Sequence, residues 1–235
     1  RAFLSGQGHQ AFLRADMVAQ VNRVWDRLEA AGSPGLRATI QQERSRYHGL
    51  QDFVGRTFAE WGVDFLKYDF CHAPDDRATA ERLYRKMGAA LRQTGRPILF
   101  SICEWGHHRP WLWGRAAGGH MWRTTGDIWD GWRDGPHVAQ NGIDSIGFEQ
   151  QRGLEAYAGP GGWNDPDMLV VGLRGRGAIG GPGCTDAEYR AHFSLWCLLA
   201  APLIIGCDLR QVDPVSLETL ANPEVIALDQ DPLGR

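Results

Sequence analysis

The chain has 235 residues, 43% of them hydrophobic and 23% charged, with a net charge of −3. That composition belongs to a folded globular protein, and the length suits one large domain. The charge gives no electrostatic case for nucleic acid or an anionic membrane. No run of about 18 apolar residues offers a membrane span, and the stretch after Arg1 lacks the regions of a signal peptide.

Residues 15–32 carry helical periodicity closed by Gly32. Residues 53–62, FVGRTFAEWG, read as an amphipathic helix stopping at Gly62. VDFLKYDF (63–70) follows as a short apolar strand carrying polar groups. Residues 75–94 have apolar positions at helical spacing, Asp at the start, and Gly95 as the closing residue. PILFSICEW (97–105) is the next strand, and GHMWRTTGDIWD (119–130) another. Residues 139–159 read as a weakly periodic helix and loop, and GWNDPDMLVVG (162–172) as a strand. DAEYRAHFSLWCLLAA (186–201) is a helix, PLIIGCDL (202–209) a strand, and residues 215–230 a closing helix.

This alternation of strand and helix argues for an α/β fold with a parallel sheet. An open doubly wound nucleotide fold would show a Gly-rich turn after its first strand, and none is present. Each strand instead ends in polar residues: Lys67 and Asp69, Cys103 and Glu104, Arg123 and Asp127, Asp165 and Asp167, then Asp208. In (β/α)8 barrels the chemistry sits at the C-terminal ends of the strands, so the pattern favours a barrel.

Asp69 and Asp127 are the expected catalytic pair. Retaining glycoside cleavage uses one carboxylate to attack the anomeric carbon and another to protonate the leaving oxygen. Lys67 lies two residues before Asp69, on the same strand face, and an ammonium there suits a nucleophile. Asp127, after Arg123 and a glycine, is the better acid/base. Asp165 reads as structural, and Asp75, Asp76 and Asp130 as solvated or capping. His107 and His108 match no familiar zinc spacing, so no metal site is expected. Five cysteines without a C-x-x-C pair argue against a disulfide framework, although they allow one bridge. Ten Trp and five Tyr suit either stacking on sugar rings or a core.

VDFLKYDFC, SICEWG, WRTTGDI, GGWNDPDML, APLIIGCDLR and VIALDQDPLG occur in this order. Together they resemble glycoside hydrolase family 27, the alpha-galactosidases, over roughly residues 47–235. The resemblance implies a (β/α)8 barrel, a double displacement with net retention, and no cofactor. It implies a galactosyl oligosaccharide or glycoside as substrate, with Asp69 as nucleophile and Asp127 as acid/base. Lys67, Arg123 and Asp167 correspond to positions that hold galactose hydroxyls, and Met168 to one lining the pocket. Cys103, Glu104 and Trp105 fall where the family reads the sugar's 2-position, and their bulk favours a 2-hydroxyl over an N-acetyl group. Sibling readings are a beta-L-arabinopyranosidase, an alpha-N-acetylgalactosaminidase or an inactive galactose-binding fragment. Many relatives are secreted, although this chain carries no signal for it.

Two departures stand out. Phe70 occupies the place of an Asn in the family's KYDNC. The family's third strand, with its cysteine-containing loop, should fall near residues 35–48, where this chain reads GLRATIQQERSRYHGL. That leaves Cys71 without the family's disulfide partner. Residues 1–46 are therefore expected to be a remnant or frame-disturbed start of the barrel. Residues 47–235 would supply strands 4 to 8, with an incomplete barrel of lowered stability.

Overall fold

The computed structural model describes residues 9–14, by backbone alone, and residues 50–71, 73–137, 140–176 and 179–232. The helical pattern at 15–32 lies outside the described residues. The described residues form two compact units, one comprising those from His9 to Glu104 with Trp113–His120, the other Trp105–Leu112 with those from Met121 onward.

In the first unit three strands run parallel: β1 (His9–Arg14), β2 (Val63–Asp69) and β3 (Leu99–Cys103). Helix α1 (Leu50–Glu60) leads into β2 through a turn at Gly62, whose φ of 76° lies in the left-handed region that glycine enters without strain. Helix α2 (Arg77–Gln93) joins β2 to β3. Its N-terminus is capped by Asp76, which accepts from the Thr79 amide at 2.8 Å, as the sequence suggested for that aspartate. Ala80, Tyr84, Met87, Gly88 and Leu91 form its buried stripe. Gly88 is required by close approach: a Cβ there would lie 2.1 Å from the Ala117 carbonyl oxygen. Arg96 then bonds back to the Val63 and Gly62 carbonyls at 2.8 and 2.9 Å, fixing the start of β2 against the start of β3.

The second unit has β4 (Met121–Arg123) paired in parallel with β5 (Trp163–Asp165), Arg123 lying opposite Asp165. The buried Trp122 indole donates to Asn164 Oδ1 at 2.8 Å across this pair. Helix α3 (Asp186–Leu198) begins with a full capping box, Thr185 and Glu188 bonding each other's backbone. It packs Tyr189, Phe193 and Trp196 against Leu169, Val170 and Val171.

Five expected elements differ from the sequence pattern. Residues 124–130 leave the strand, because Arg123 Nη2 donates to the Thr125 and Gly126 carbonyls at 3.1 and 2.8 Å and turns the chain. The expected helix at 139–159 gives, among its described residues, a six-residue π-helix, Ser145–Gln150, and a 3-10 turn, Glu155–Tyr157. The strand expected over 162–172 keeps only Trp163–Asp165, because the Asp167 amide turns back onto Asp165 Oδ1 just past Pro166. The run 202–209 is not a ladder strand. It makes one bridge, Leu169 to Ile205, after a proline that has no amide to donate. The closing helix is two, α4 (Pro214–Leu220) and α5 (Pro223–Asp229), because Pro223 cannot continue the first and serves as the first residue of the second.

Candidate active site

In the first unit, alternation along β2 buries Leu66 and Tyr68 on one face and leaves Lys67 and Asp69 half-buried on the other. Parallel register sets Asp69 opposite Cys103 and Lys67 opposite Ser101. The Phe70 amide donates to the Cys103 carbonyl at 3.0 Å, carrying that pairing one residue past the strand end. Cys71 donates its thiol to Asp69 Oδ1 at 3.4 Å. Glu104 and Cys103 are buried at the end of β3. Four predicted site residues, Lys67, Asp69, Cys103 and Glu104, are thus brought to adjoining strand ends.

An aromatic cluster supports them. Tyr84 is fully buried, donates to the Tyr68 carbonyl at 2.9 Å, and lies against Tyr68, Phe70, Phe100 and Trp113 at 5.4–6.2 Å between ring centroids. Burial pushes its phenol well above the ordinary range, and the charges of Cys103, Glu104 and Asp69 add to that shift. Phe70 therefore serves as a packing residue, stacked on Tyr84 at an interplanar angle of 26°.

In the second unit, the Arg123 guanidinium is 2% exposed and its Nη2 reaches Asp167 Oδ2 at 2.7 Å and Asp127 Oδ1 at 3.3 Å. The two aspartates differ sharply: the Asp127 side chain is 62% exposed and that of Asp167 only 9%. Asp167 Oδ2 also accepts from the Ile128 amide at 2.9 Å, and its Oδ1 from the Met168 amide at 2.8 Å. Its own amide donates to Asp165 Oδ1 at 2.9 Å, and its carbonyl accepts from Trp196 Nε1 at 2.7 Å. So many bonds hold a non-glycine residue at φ 95°, and backbone strain of this kind concentrates at functional sites. Asp165 acts structurally here, as the sequence suggested.

Chemically, Asp167 is a fixed acceptor, and Asp127 is an open, solvent-exposed carboxylate. The Asp127 carbonyl is held by the Asn141 amide at 3.1 Å and the Asn141 side chain at 3.0 Å. Met168 is half-buried and packs on the core of α3, with its sulfur against Gly206. Trp105 belongs to this unit and is also at positive φ, 57°, with its ring 5.8 Å from that of His107. Gly106, beside it, packs so closely on the Thr124 carbonyl that a Cβ would lie 2.2 Å from its oxygen.

Asp130 corrects the sequence reading. It is neither solvated nor a cap: it is fully buried, accepting from Tyr189 Oη at 2.8 Å and the Gly175 amide at 2.6 Å. No pattern in DIWD announces this, because its partners lie 45 and 59 residues away. Among the described residues no group of three or more His, Cys, Asp or Glu side chains is arranged to hold a metal. No described helix is long and apolar enough to cross a membrane.

Residues 42–231 match the family described as Alpha galactosidase A. An alpha-galactosidase of Cyamopsis tetragonoloba is 47% identical over 186 residues, covering 79% of this chain and 40% of that protein. Alpha-galactosidase A of Cellvibrio japonicus is 43% identical over 206 residues, covering 87% of this chain and 45% of that protein. The solved alpha-galactosidase of Saccharomyces cerevisiae with raffinose superposes with a TM-score of 0.68 at 32% identity, over 77% of this chain and 41% of that one. This chain therefore spans less than half the length of the relatives it matches. Its parallel α/β fold is part of a (β/α)8 barrel.

Proposed function

This chain belongs to the alpha galactosidase A family, and from that premise we propose that it carries the catalytic carboxylates of a retaining alpha-galactosidase, with residues 47–235 supplying barrel strands 4 to 8. The substrate class is a terminal alpha-galactosyl residue on an oligosaccharide or glycoside, the kind of sugar the yeast relative's structure contains as raffinose. The observation that carries the reading is the exposed Asp127 held by a buried arginine that also fixes Asp167.

Asp69 attacks the anomeric carbon and forms a glycosyl-enzyme ester. Asp127 gives its proton to the departing oxygen, then takes one from the water that cleaves the ester. Two inversions give retention. Lys67, on the face of β2 that carries Asp69, and Arg123 and Asp167 bind sugar hydroxyls. A carboxylate has about four lone-pair positions, and Asp167 uses three for Arg123, Ile128 and Met168, which leaves one for a hydroxyl. Glu104, Cys103 and Trp105 limit the space at the 2-position.

The test is hydrolysis of p-nitrophenyl alpha-galactoside by the full chain, beside Asp69→Asn and Asp127→Asn. General acid/base and nucleophilic roles predict losses of about 10²–10⁴-fold or more in each variant. Either variant retaining parental activity would remove that residue from the mechanism.

A further inference from the structure

The Asp127 side chain has little of its own to hold it in place, although its carbonyl is held by Asn141. Its carboxylate is largely exposed, and the one side-chain bond to Arg123 is long at 3.3 Å. Its position must come from the backbone. The chain ahead of it is fixed by Arg123, and the next amide, Ile128, is fixed by Asp167. The following anchor is Asp130.

Asp130 uses every hydrogen-bonding group it has on one distant segment. Its carboxylate accepts from the Gly175 amide and from Tyr189 Oη, its amide donates to the Gly180 carbonyl at 3.2 Å, and its carbonyl accepts from the Gly183 amide at 2.9 Å. Gly181, at φ 121°, passes so near that a Cβ would lie 2.3 Å from the Asp130 oxygen. That segment is itself braced. Tyr189 accepts from the Arg174 amide at 2.8 Å, the Arg174 guanidinium lies 5.0 Å from the Tyr189 ring centre, and it bonds Asp213 through two nitrogens at 3.0 and 2.9 Å.

We propose that Asp130 is a positioning residue for Asp127: its buried carboxylate ties the turn bearing the acid/base to the braced residues Arg174, Gly175 and Tyr189, and so fixes where the Asp127 carboxyl stands. The inference rests on the acid/base reading of Asp127. Asparagine at 130 can keep the Gly175 amide on its Oδ1, but its NH₂ must then donate to a Tyr189 oxygen that already accepts from the Arg174 amide, with the hydroxyl proton turned away, so that tie is weakened. A displacement of about 1 Å in a reacting group costs on the order of 100-fold in rate.

The experiment compares kcat/KM, which reports on cleavage of the glycosidic bond, for two substrates of the full chain. Phenyl alpha-galactoside, with a basic leaving group, depends on a proton from the acid; 2,4-dinitrophenyl alpha-galactoside does not. Asp130→Asn is expected to lose about 30- to 100-fold on the first and less than about 5-fold on the second. Tyr189→Phe removes the same tie from the other side and is expected to show the same asymmetry; it carries the test if Asp130→Asn does not fold. Asp127→Ala is the reference. Equal losses on both substrates for Asp127→Ala would remove the acid/base reading and the inference with it. An asymmetric Asp127→Ala beside symmetric or absent losses in the folded Asp130→Asn or Tyr189→Phe would overturn the inference alone.

Discussion

Asp167 offers the sharpest test of how the second unit is held together. Its carboxylate neutralises a guanidinium that is 2% exposed, and it accepts from two further amides while its backbone sits at φ 95°. Asp167→Asn keeps the shape but puts an amide NH₂ against donors on one side. Removing one partner of a buried ion pair costs about 3–5 kcal/mol, and the acceptor that asparagine retains lowers the expected loss to about 2–4 kcal/mol. The backbone contributes separately. Alanine at this φ carries left-handed strain of about 1–2 kcal/mol that glycine escapes, less the unfolded-state entropy glycine adds, for a net of about 1 kcal/mol. Asp167→Gly should therefore unfold at a higher urea concentration than Asp167→Ala, although both lose the same carboxylate. Equilibrium urea denaturation of the three variants and the parent reads both effects. A loss below about 1 kcal/mol for Asp167→Asn would mean that the pair does not anchor the site. An alanine variant as stable as the glycine variant would mean that the strain is not there.

Three other changes probe other parts of the molecule. Phe70→Asn restores the family's residue but removes a buried ring stacked on Tyr84; it should cost about 3 kcal/mol by the same denaturation, and an unchanged midpoint would show the ring is dispensable. Gly88→Ala drives a methyl into the Ala117 carbonyl and should destabilise by about 1–3 kcal/mol, although alanine is the better helix former; a gain in stability would contradict the close approach. His192 accepts from the Val170 amide at 3.1 Å, and burial lowers its pKa to about 3. The unfolded chain takes up that proton near pH 6.5 and the folded chain does not, so acid favours unfolding from about 6.5 down to 3. Relative to His192→Gln, the parent should lose about 3 kcal/mol between pH 7 and pH 4, and parallel losses in the two would show that the native imidazole protonates in place.

The alternation of elements was legible wherever burial is one-sided. Val63–Asp69 and Arg77–Gln93 fall where their periodicity placed them, because each buries one face and carries its own start or stop at Gly62, Asp76 or Gly95. The pattern misleads where the backbone is held by side chains instead of a ladder. Residues 124–130 follow directly on the strand Met121–Arg123, yet Arg123 draws the carbonyls of 125 and 126 onto its guanidinium. Residues 202–209 are largely apolar, yet they contribute one bridge.

The same distinction separates the aspartates. Asp127, Asp130 and Asp167 carry the same functional group, and their neighbours in sequence do not show how buried each is. Their environments differ. Asp127 is open to solvent, Asp167 is spent on three donors beside a buried arginine, and Asp130 is closed off entirely by residues 45 and 59 positions later. The proposed acid/base must exchange protons with substrate and water, and Asp127 is the exposed one of the three, while Asp130 is wholly taken up by protein donors and Asp167 keeps one lone-pair position. The difference in environment among three chemically identical side chains is thus decided by contacts made far along the chain, and it becomes visible only once the fold has formed.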